Sequence, residues 1–555
     1  MNLFAKINWL FNSSETLGEL YNITSKTKFS YYFEDPETGK LIKKFLPSIG
    51  QEEENPPYNE LHKDQADSYT KIKLGKISYY PQFFAEYKIQ FGNDYLVMSF
   101  VQTGLGLRIT AEGISNIKVI FDQNGEKTKF LTPFNIFIRT FANQSIEFEC
   151  SYQKEQPRDI FSPKELYSIL WNLCIDDKNN LFVPVSMGWV KLISDIYKIS
   201  HSKGPLIFNW DQSFSSILSA KDFPELSKYL IDQLINLIDD EGFIPQLTIS
   251  DITTKISNPP ILFLSVAYYY LNNKDLNSLK IWYPYLIDYI NWWENNRRVD
   301  WNENLFTWGG DSSFESGLES GWDNSPLWER FRYDGDSKKF KTASTMASGL
   351  IILSYRILEI LSKILGKSDE EKRFKNRRKE IIESIDKYMW SANLEAYLPT
   401  NSDGSQVEII TPGIYYTGFT GEINKDRFER SLKYIKNPQA LGGDFLIPTL
   451  NRSDPSFNGD GDYWRGRVWP PVNFLVAGAI GNYSKSLANK ILESSKEIFA
   501  KNFINGISGE NYSSISGNLF PQQGVYSRNC PVYIWGGLLL MDPVLIFNLL
   551  HIYTK

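Results

Sequence analysis

The sequence predicts a mainly α-helical protein in which a helical toroid follows an antiparallel β-sandwich domain. Strand-like alternation of apolar residues fills residues 1–155, whereas helical periodicity recurs through residues 156–555. The hydrophobic share of 42% and the charged share of 22% are typical of packed globular chains. Because 555 residues exceed one ordinary core, we expect two domains, at residues 1–155 and 156–555.

The N-terminal domain is predicted from runs rich in β-branched and aromatic residues, which favour strands. Such runs occur at residues 86–91, 95–101, 117–121, 135–141 and 145–152. Asn124-Gly125 lies between two strand-like segments and predicts a two-residue hairpin turn. Short strands joined in this way indicate an antiparallel sandwich.

The C-terminal domain is predicted from apolar residues spaced three and four positions apart. Ser162-Pro163 indicates the first helix start, since proline is favoured at the first helical position. Further helical patterns cover residues 223–237, 260–271, 276–295, 343–365, 369–389, 472–480, 484–503 and 532–550. Loops rich in Gly, Pro, Trp and Asn separate them without a strict repeat period, which favours a toroid of paired helices over a solenoid.

Composition and charge exclude several classes of function. With 59 Lys+Arg against 65 Asp+Glu, the net charge of −6 argues against nucleic acid or an anionic membrane as partner. Three scattered histidines disfavour Ser-His-Asp catalysis and His-rich zinc sites. Three cysteines without a CxxC pair disfavour a disulfide scaffold. The N-terminal residues lack a continuous apolar export signal, so we expect a cytoplasmic protein.

The densest chemical stretch is residues 308–328, which hold four acidic residues and three tryptophans. Asp323 precedes Asn324-Ser325-Pro326, which has the composition of a helix start, so Asp323 could serve only to cap that helix. The neighbouring tryptophans favour a second interpretation. Their apolar rings can raise the pKa of a carboxyl group, and their faces can stack on a sugar.

A second stretch, residues 459–473, combines aspartates and glycines with two arginines and three large aromatic residues. The spacing and the final glutamate of an EF-hand are absent, which disfavours a calcium site. The aromatic residues suit a binding wall, whereas Arg465 and Arg467 could simply pair with surface acids. Two smaller segments contain Trp210 and Asp211 at a helix start, where the helix dipole favours a negative charge, and Gln246 near a helix end.

A third stretch, residues 509–514, contains a single glutamate, Glu510. An exposed surface position is the default interpretation of one glutamate in a loop. Glu510 gains interest as a possible partner of Asp323, because glycoside hydrolysis uses two carboxyl groups.

These loops taken together resemble glycoside hydrolase family 63 and its bacterial and archaeal relatives. That group includes processing α-glucosidases and hydrolases of mannosylglycerate and glucosylglycerate. The resemblance covers residues 160–555, and no motif anchors the N-terminal part. The segments that carry it are Asn209-Trp-Asp211, Gly242-Phe-Ile-Pro245, Pro259-Pro260, Glu319-Ser-Gly-Trp-Asp-Asn-Ser-Pro326, Tyr463-Trp-Arg-Gly-Arg-Val-Trp-Pro470, Gly509-Glu-Asn-Tyr512 and Tyr533-Ile-Trp-Gly-Gly537.

The resemblance implies an (α/α)6 barrel preceded by a β-sandwich, and an inverting mechanism. It implies Asp323 as general acid and Glu510 as general base, whose carboxyl groups must lie about 6.5–9.5 Å apart to admit a water. Such chemistry needs no metal or organic cofactor. The candidate substrate-binding residues are Trp210, Asp211, Gln246, Trp322, Asn324, Tyr463, Trp464, Arg465, Trp469 and Trp535.

The expected substrate is a neutral oligosaccharide with a terminal α-linked sugar, glucose above all, or a small glycoside of the mannosylglycerate or glucosylglycerate type. Three other functions remain open. A phosphorylase would use phosphate instead of water, but the Glu510 carboxylate would repel it. A polysaccharide lyase prefers acidic sugars and abstracts protons with Tyr or His. A non-catalytic carbohydrate-binding protein would be favoured if Asp323 and Glu510 lay far apart.

Overall fold

The computed structural model describes the strands between residues 9 and 150, and residues 164–175, 181–183, 185–186, 189, 206–249, 252–503, 508–519, 530 and 532–544. Side chains in the N-terminal strands are described at residues 96–100, 107–113 and 119–121. The chain forms two compact units. The first unit is Met1–Ile207, Asn502–Glu510 and Asn529–Ile534, and the second is Phe208–Lys501, Asn511–Arg528 and Trp535–Lys555. The domain boundary predicted at residue 155 falls inside the first unit and stays a prediction.

The described N-terminal residues of the first unit form two antiparallel sheets. Their strands are β1 (Trp9–Phe11), β2 (Glu19–Asn22), β3 (Thr27–Glu34), β4 (Leu41–Ile42), β5 (Ile72–Ser78), β6 (Phe84–Phe91), β7 (Asp94–Thr103), β8 (Gly106–Gly113), β9 (Lys118–Gln123), β10 (Glu126–Leu131), β11 (Phe134–Thr140) and β12 (Ile146–Cys150). One sheet has the order β1-β2-β3-β9-β10 with β4 paired to β3, and the other has the order β12-β11-β8-β7-β6-β5.

The strand predictions are confirmed where the structure describes them. Each of the five predicted runs overlaps an observed strand, namely β6, β7, β9, β11 or β12. Asn124-Gly125 joins β9 to β10, which pair antiparallel with Glu126 opposite Gln123. Along β7, Leu96, Met98 and Phe100 are buried while the residues between them are partly exposed, as expected when one face of a sheet is covered. The arrangement of the two sheets as a sandwich stays a prediction.

The C-terminal segments of the first unit are tied to a short helix. A 3-10 turn (Lys164–Leu166) leads into α1 (Tyr167–Asn172) and a hairpin of β13 (Cys174–Ile175) and β14 (Leu181–Phe182). The Ser168 hydroxyl donates to the Ser508 carbonyl at 2.9 Å, and the Asn172 amide donates to the Val532 carbonyl at 3.4 Å. The predicted helix start at Ser162-Pro163 lies outside the described residues.

The chain is mainly helical from residue 209 onward. The helices are α2 (Asn209–Ser219), α3 (Pro224–Ile235), α4 (Leu262–Asn273), α5 (Leu276–Asn296), α6 (Ser313–Glu319), α7 (Leu327–Arg330), α8 (Thr345–Ile364), α9 (Ser368–Tyr388), α10 (Lys425–Ser431), α11 (Lys433–Lys436), α12 (Pro470–Gly481) and α13 (Lys485–Phe503), with 3-10 helices at Pro412–Gly418 and Gly536–Leu540. The short strands are β15 (Leu206–Phe208), β16 (Leu247–Ile249), β17 (Ile252–Thr253), β18 (Arg298–Val299), β19 (Asn302–Phe306), β20 (Tyr333–Asp334), β21 (Lys339–Phe340), β22 (Trp390–Ser391) and β23 (Ala396–Tyr397).

Local sequence explains where these helices begin. Asp275 accepts a hydrogen bond from the Ser278 N–H at the start of α5, and Ser344 accepts one from the Ala347 N–H at the start of α8. Pro224 occupies the first turn of α3, where its missing N–H has no helical partner to lose. Seven of the predicted helices are confirmed as α3, α4, α5, α8, α9, α12 and α13, with ends shifted by a few residues.

Helix α8 forms the centre of the second unit. It packs against α9, α4 and the 3-10 helix Pro412–Gly418. By length and composition it could cross a membrane, but its apolar window is wholly buried inside the protein. A buried core helix satisfies the same length and composition criteria as a membrane span.

The prediction of one continuous helix over residues 532–550 is wrong in its described part. A turn occupies Trp535, a 3-10 helix spans only Gly536–Leu540, and Met541 and Asp542 are not helical before helical backbone resumes at Pro543. Two adjacent glycines weaken a helix because they lose the most backbone entropy, and a proline starts a helix more readily than it continues one. Residues 545–550 lie outside the described part of the chain.

Candidate active site

Five tryptophans from four segments of the second unit meet in one cluster, called the tryptophan cluster below. Its ring centroids lie 5.4 Å apart for Trp210 and Trp535, 6.2 Å for Trp210 and Trp464, and 5.4 Å for Trp322 and Trp464. The fifth ring, Trp469, lies 5.8 Å from Trp535. The structure thus brings together all five tryptophans that were predicted to bind substrate.

Each ring of the cluster projects from a turn or from the start of a helix. Trp210 lies in the first turn of α2, and Trp322 in the turn between α6 and α7. Trp469 is the N-cap residue of α12, and Trp535 is the N-cap residue of the last 3-10 helix. Side chains at helix starts therefore converge on one region of the second unit.

Inside the cluster, ring faces pack on one another. Trp464 stacks on Trp469 at 3.6 Å with 10° between the ring planes, and on Trp322 at 5.4 Å with 14°. The Trp469 indole N–H donates to the Tyr463 carbonyl at 3.0 Å. The indole N–H groups of Trp322 and Trp464 are buried and find no acceptor among the described residues. Each unpartnered buried donor costs the folded state about 1–3 kcal/mol.

Asp323 directly follows a buried member of the cluster. Trp322 is fully buried, whereas the Asp323 side chain is half-buried. The N-cap residue of α7 is Pro326, three positions later, so Asp323 is not the cap residue of that helix. Asp323 therefore lies in a turn, directly after a tryptophan that is fixed in the apolar cluster.

Asn324 joins the Asp323 turn to the loop before α12. Its amide nitrogen donates to Asp462 Oδ1 at 2.7 Å, and its amide oxygen accepts from the backbone N–H of Trp464 at 2.9 Å. Both ends of the predicted substrate-binding amide are thus engaged within the protein. This bridge fixes Asp323 and Trp464 relative to each other.

The two arginines of residues 459–473 have different partners. Arg465 forms ion pairs with Glu329 and, at 3.6 Å, with Asp462, as the pairing interpretation predicted. Arg467 is fully buried and donates to backbone carbonyls of residues 460 and 519 and to the side chain of residue 511. The surface-pairing interpretation is therefore wrong for Arg467, because a buried guanidinium needs acceptors for its several N–H groups and finds them in backbone carbonyls.

The same loop bears on the calcium alternative. Asp462 is engaged by Asn324 and Arg465. Among the described residues, no three His, Cys, Asp or Glu side chains gather closely enough to hold a metal ion.

Two further predicted residues lie near the starts of the segments that carry the cluster. Asp211 is 1% exposed in the first turn of α2, where the helix dipole favours a negative charge. The Gln246 amide donates to the Leu318 carbonyl at 2.9 Å, near the end of α6. Gln246 therefore contacts the segment that leads to Asp323.

Glu510 belongs to the first unit and is described within it. It is 1% exposed, so the interpretation as a surface glutamate is wrong. Its Oε2 atom accepts from the Cys530 N–H at 3.0 Å and from the Trp189 indole N–H at 3.5 Å, and its own N–H donates to the Cys530 carbonyl at 2.9 Å. Burial and the Glu510 charge raise the pKa of the Cys530 thiol. The carboxylate is thus held in one orientation.

Sequence reasoning did not single out Trp189 or Arg297, the second of which pairs with Glu319 at 2.6 Å. Both lie outside the motifs that carry the family resemblance. The local sequence around these two residues offers no signal that could have identified them.

We expect Gly321→Ala to lower the free energy of unfolding by about 1–3 kcal/mol and to reduce ligand binding. Gly321 has a φ of +74°, and an added Cβ would lie 2.5 Å from the Trp210 ring. Gly366→Ala is a matched control, since its φ is +72° with nothing within 4 Å. Denaturant unfolding of both variants separates the ring clash from backbone strain. Equal losses of stability in the two variants would contradict the clash.

A family comparison covers most of the second unit. Residues 204–528 match the sequence model of the family described as the mannosylglycerate hydrolase MGH1-like glycoside hydrolase domain. Mannosyl-oligosaccharide glucosidase of Saccharomyces cerevisiae is 22% identical over 404 residues, which are 57% of this chain and 47% of that protein. A probable mannosyl-oligosaccharide glucosidase of Schizosaccharomyces pombe is 20% identical over 52% of this chain and 43% of that protein. The chain thus spans less than half the length of these curated relatives.

Solved structures share the fold. A crystal structure of GH63 mannosylglycerate hydrolase from Thermus thermophilus in complex with glucose aligns with a TM-score of 0.51 and 16% identity, over 63% of this chain and 94% of that one. A structure described as an uncharacterized conserved protein from Thermus thermophilus aligns with a TM-score of 0.52 and 18% identity, over 63% and 94%.

Proposed function

Because the chain belongs to the mannosylglycerate hydrolase MGH1-like family of glycoside hydrolases, within glycoside hydrolase family 63, we propose that it is an inverting α-glycosidase. In this proposal it removes a terminal α-linked glucose from a neutral oligosaccharide. The observation that carries the proposal is the tryptophan cluster, which collects the predicted sugar-binding rings beside the turn of Asp323.

Asp323 acts as the general acid and protonates the glycosidic oxygen as the bond to the anomeric carbon breaks. The Asn324 bridge to Asp462 and Trp464 supports this assignment, because it fixes the turn that carries the carboxyl group. A proton donor must lie within hydrogen-bond reach of the leaving oxygen, so a rigid turn favours catalysis.

Glu510 acts as the general base and deprotonates the water that attacks the anomeric carbon from the opposite face. Its burial and the N–H donors of Cys530 and Trp189 support the role, since they fix the orientation of the carboxylate. Attack from the face opposite the leaving group inverts the configuration of the sugar.

A neutral sugar suits the groups around the tryptophan cluster. Arg465 and Arg467, the two cations of the loop that carries Trp464, are both engaged by protein acceptors. The cluster itself consists of uncharged aromatic rings, and such rings suit the C–H groups of a neutral sugar. Asp211 and Gln246 are the polar residues proposed to bind the hydroxyl groups of the sugar.

A second candidate is the hydrolysis of mannosylglycerate or glucosylglycerate. It is favoured by the description of the matched family and by the Thermus structures of that fold. The glycerate group carries a negative charge, so this activity needs a cation or several N–H donors for its carboxylate.

An activity screen with α-linked gluco-oligosaccharides, mannosides and glycerate conjugates tests the proposal. We expect glucose release from the gluco-oligosaccharides without any requirement for phosphate. NMR of the fresh product should show the β-anomer first, because inversion at an α-linked carbon produces it. Turnover of glycerate conjugates alone would favour the second candidate. Phosphate-dependent release would indicate a phosphorylase, and a first product in the α configuration would exclude inversion.

We also propose the finer architecture that the family resemblance implies. The helices of the second unit are proposed to form an (α/α)6 barrel, and the two antiparallel sheets of the first unit a β-sandwich. Structural similarity over 63% of the chain supports a common helical fold, and the sheet orders support an antiparallel domain.

A further inference from the structure

A buried ion pair includes Glu319, four residues before Asp323. Glu319 Oε2 accepts from Arg297 Nε at 2.6 Å and from the Gly309 N–H at 2.6 Å. Glu319 Oε1 accepts from Arg297 Nη2 at 2.7 Å and from the Ser257 N–H at 3.0 Å. The pair is bidentate, and both carboxylate oxygens also accept a backbone N–H, which makes it a strong and directional contact.

The Glu319 carboxylate connects four segments of the second unit. Glu319 is the last residue of α6, and Arg297 is the C-cap residue of α5. Ser257 precedes the Pro259-Pro260 segment, and Gly309 forms an isolated β-bridge with Lys339 before α6. One side chain therefore fixes where the Asp323 turn starts relative to three other parts of the fold.

The turn from Glu319 to Asp323 has little freedom of its own. The Ser320 hydroxyl donates to the Gly317 carbonyl and accepts from the backbone N–H of Trp322 at 3.0 Å. The Trp322 carbonyl accepts from the Trp328 indole N–H at 2.7 Å. A displacement of Glu319 is therefore transmitted along a hydrogen-bonded turn rather than absorbed by it.

We propose that Glu319, held by Arg297, is a positioning residue for the proton donor Asp323. The inference rests on the proposed role of Asp323 as the general acid. Glu319 does not reach the substrate in this proposal. It fixes the turn so that the Asp323 carboxyl group meets the glycosidic oxygen, since a misplacement of about 1 Å can cost on the order of 100-fold in rate.

A second buried ion pair provides a matched control. Arg378 Nη2 lies 2.8 Å from Glu359 Oε2, and the two side chains are 0% and 6% exposed. This pair joins α8 to α9 and includes no residue of the tryptophan cluster or of the Asp323 turn. Removing either carboxylate takes a buried acidic partner from an arginine, which is destabilising in both cases. Arg378 keeps Glu422 as a second partner after the loss of Glu359.

The test compares Glu319→Gln, Arg297→Lys and Glu359→Gln, assayed as folded protein. With an oligosaccharide, we expect Glu319→Gln to lower kcat on the order of 10–100-fold and to change KM less than about twofold. Arg297→Lys should lower kcat by a smaller factor. Glu359→Gln should lose stability but keep the wild-type kcat. Arg297→Lys retains a positive charge beside Glu319, so it can replace Glu319→Gln in the test if that variant does not fold.

α-Glucosyl fluoride separates positioning from general damage, because fluoride leaves without a proton from the enzyme. The two variants of the Glu319–Arg297 pair should hydrolyse it at nearly the wild-type rate. An unchanged kcat on the oligosaccharide, or an equal loss on both substrates, would overturn the inference while the Asp323 assignment stands. Full activity of Asp323→Asn on the oligosaccharide would instead refute the acid assignment, and this inference with it.

Discussion

Asp323→Asn is expected to lose nearly all hydrolysis of an α-linked oligosaccharide, with kcat lower by about 10²–10⁴-fold. The amide has almost the size of the carboxyl group but has no acidic proton to give to the leaving oxygen. Because the half-buried side chain is replaced by an isostere, the fold and the packing of Trp322 should be retained. The measurement is steady-state kinetics beside near-UV circular dichroism, which reports the tryptophan environment.

Two comparisons sharpen this expectation. Asp323→Asn should still hydrolyse α-glucosyl fluoride, whose leaving group needs no proton. Asp311→Asn is the matched control, since Asp311 lies in the same acidic stretch but is exposed and paired with Lys338 at 2.7 Å. That control should keep full activity. Full activity of Asp323→Asn on the oligosaccharide would remove Asp323 from the mechanism.

Glu510→Gln is expected to abolish hydrolysis of both the oligosaccharide and α-glucosyl fluoride. The base acts on the attacking water, which is required whatever group leaves, so a better leaving group cannot compensate for its loss. The glutamine oxygen can still accept from the Cys530 and Trp189 N–H groups, so local structure should be kept.

The matched control for Glu510 is Glu112→Gln, an exposed glutamate on β8 of the same unit. It should leave both activities unchanged. Hydrolysis of the fluoride at the wild-type rate by Glu510→Gln would reject the role of general base. A product of retained configuration would point to a carboxylate nucleophile instead.

The local sequence predicts which residues belong to the candidate site better than it predicts which of them contact one another. The rings of Trp464 and Trp469 were identified because they lie in one short, unusual segment. The bridge from Asn324 to Asp462 was not predictable, because it joins loops that meet only in the folded chain. The partner of Glu319 is similarly hidden, since Arg297 belongs to a different helix end.

Two corrections have the same origin in local reasoning. The charge of Arg467 allows the alternative of a surface ion pair, but the folded chain buries this residue among backbone carbonyls. The apolar residues after Val532 were assigned to one helix from their composition. The adjacent glycines and Pro543 disfavour a continuous helix more strongly than the apolar composition favours it.

The contact between Trp210 and Trp535 has a consequence for how the protein is made. Trp210 lies in the first helix of the second unit, whereas Trp535 follows its last long helix, and their rings are 5.4 Å apart. Contacts between such distant parts of a chain form late, because a long loop must close first. A nascent chain that has not yet emerged beyond Trp535 therefore carries an incomplete cluster. Binding capacity should therefore appear only after Trp535 has been synthesised, however early the individual helices form.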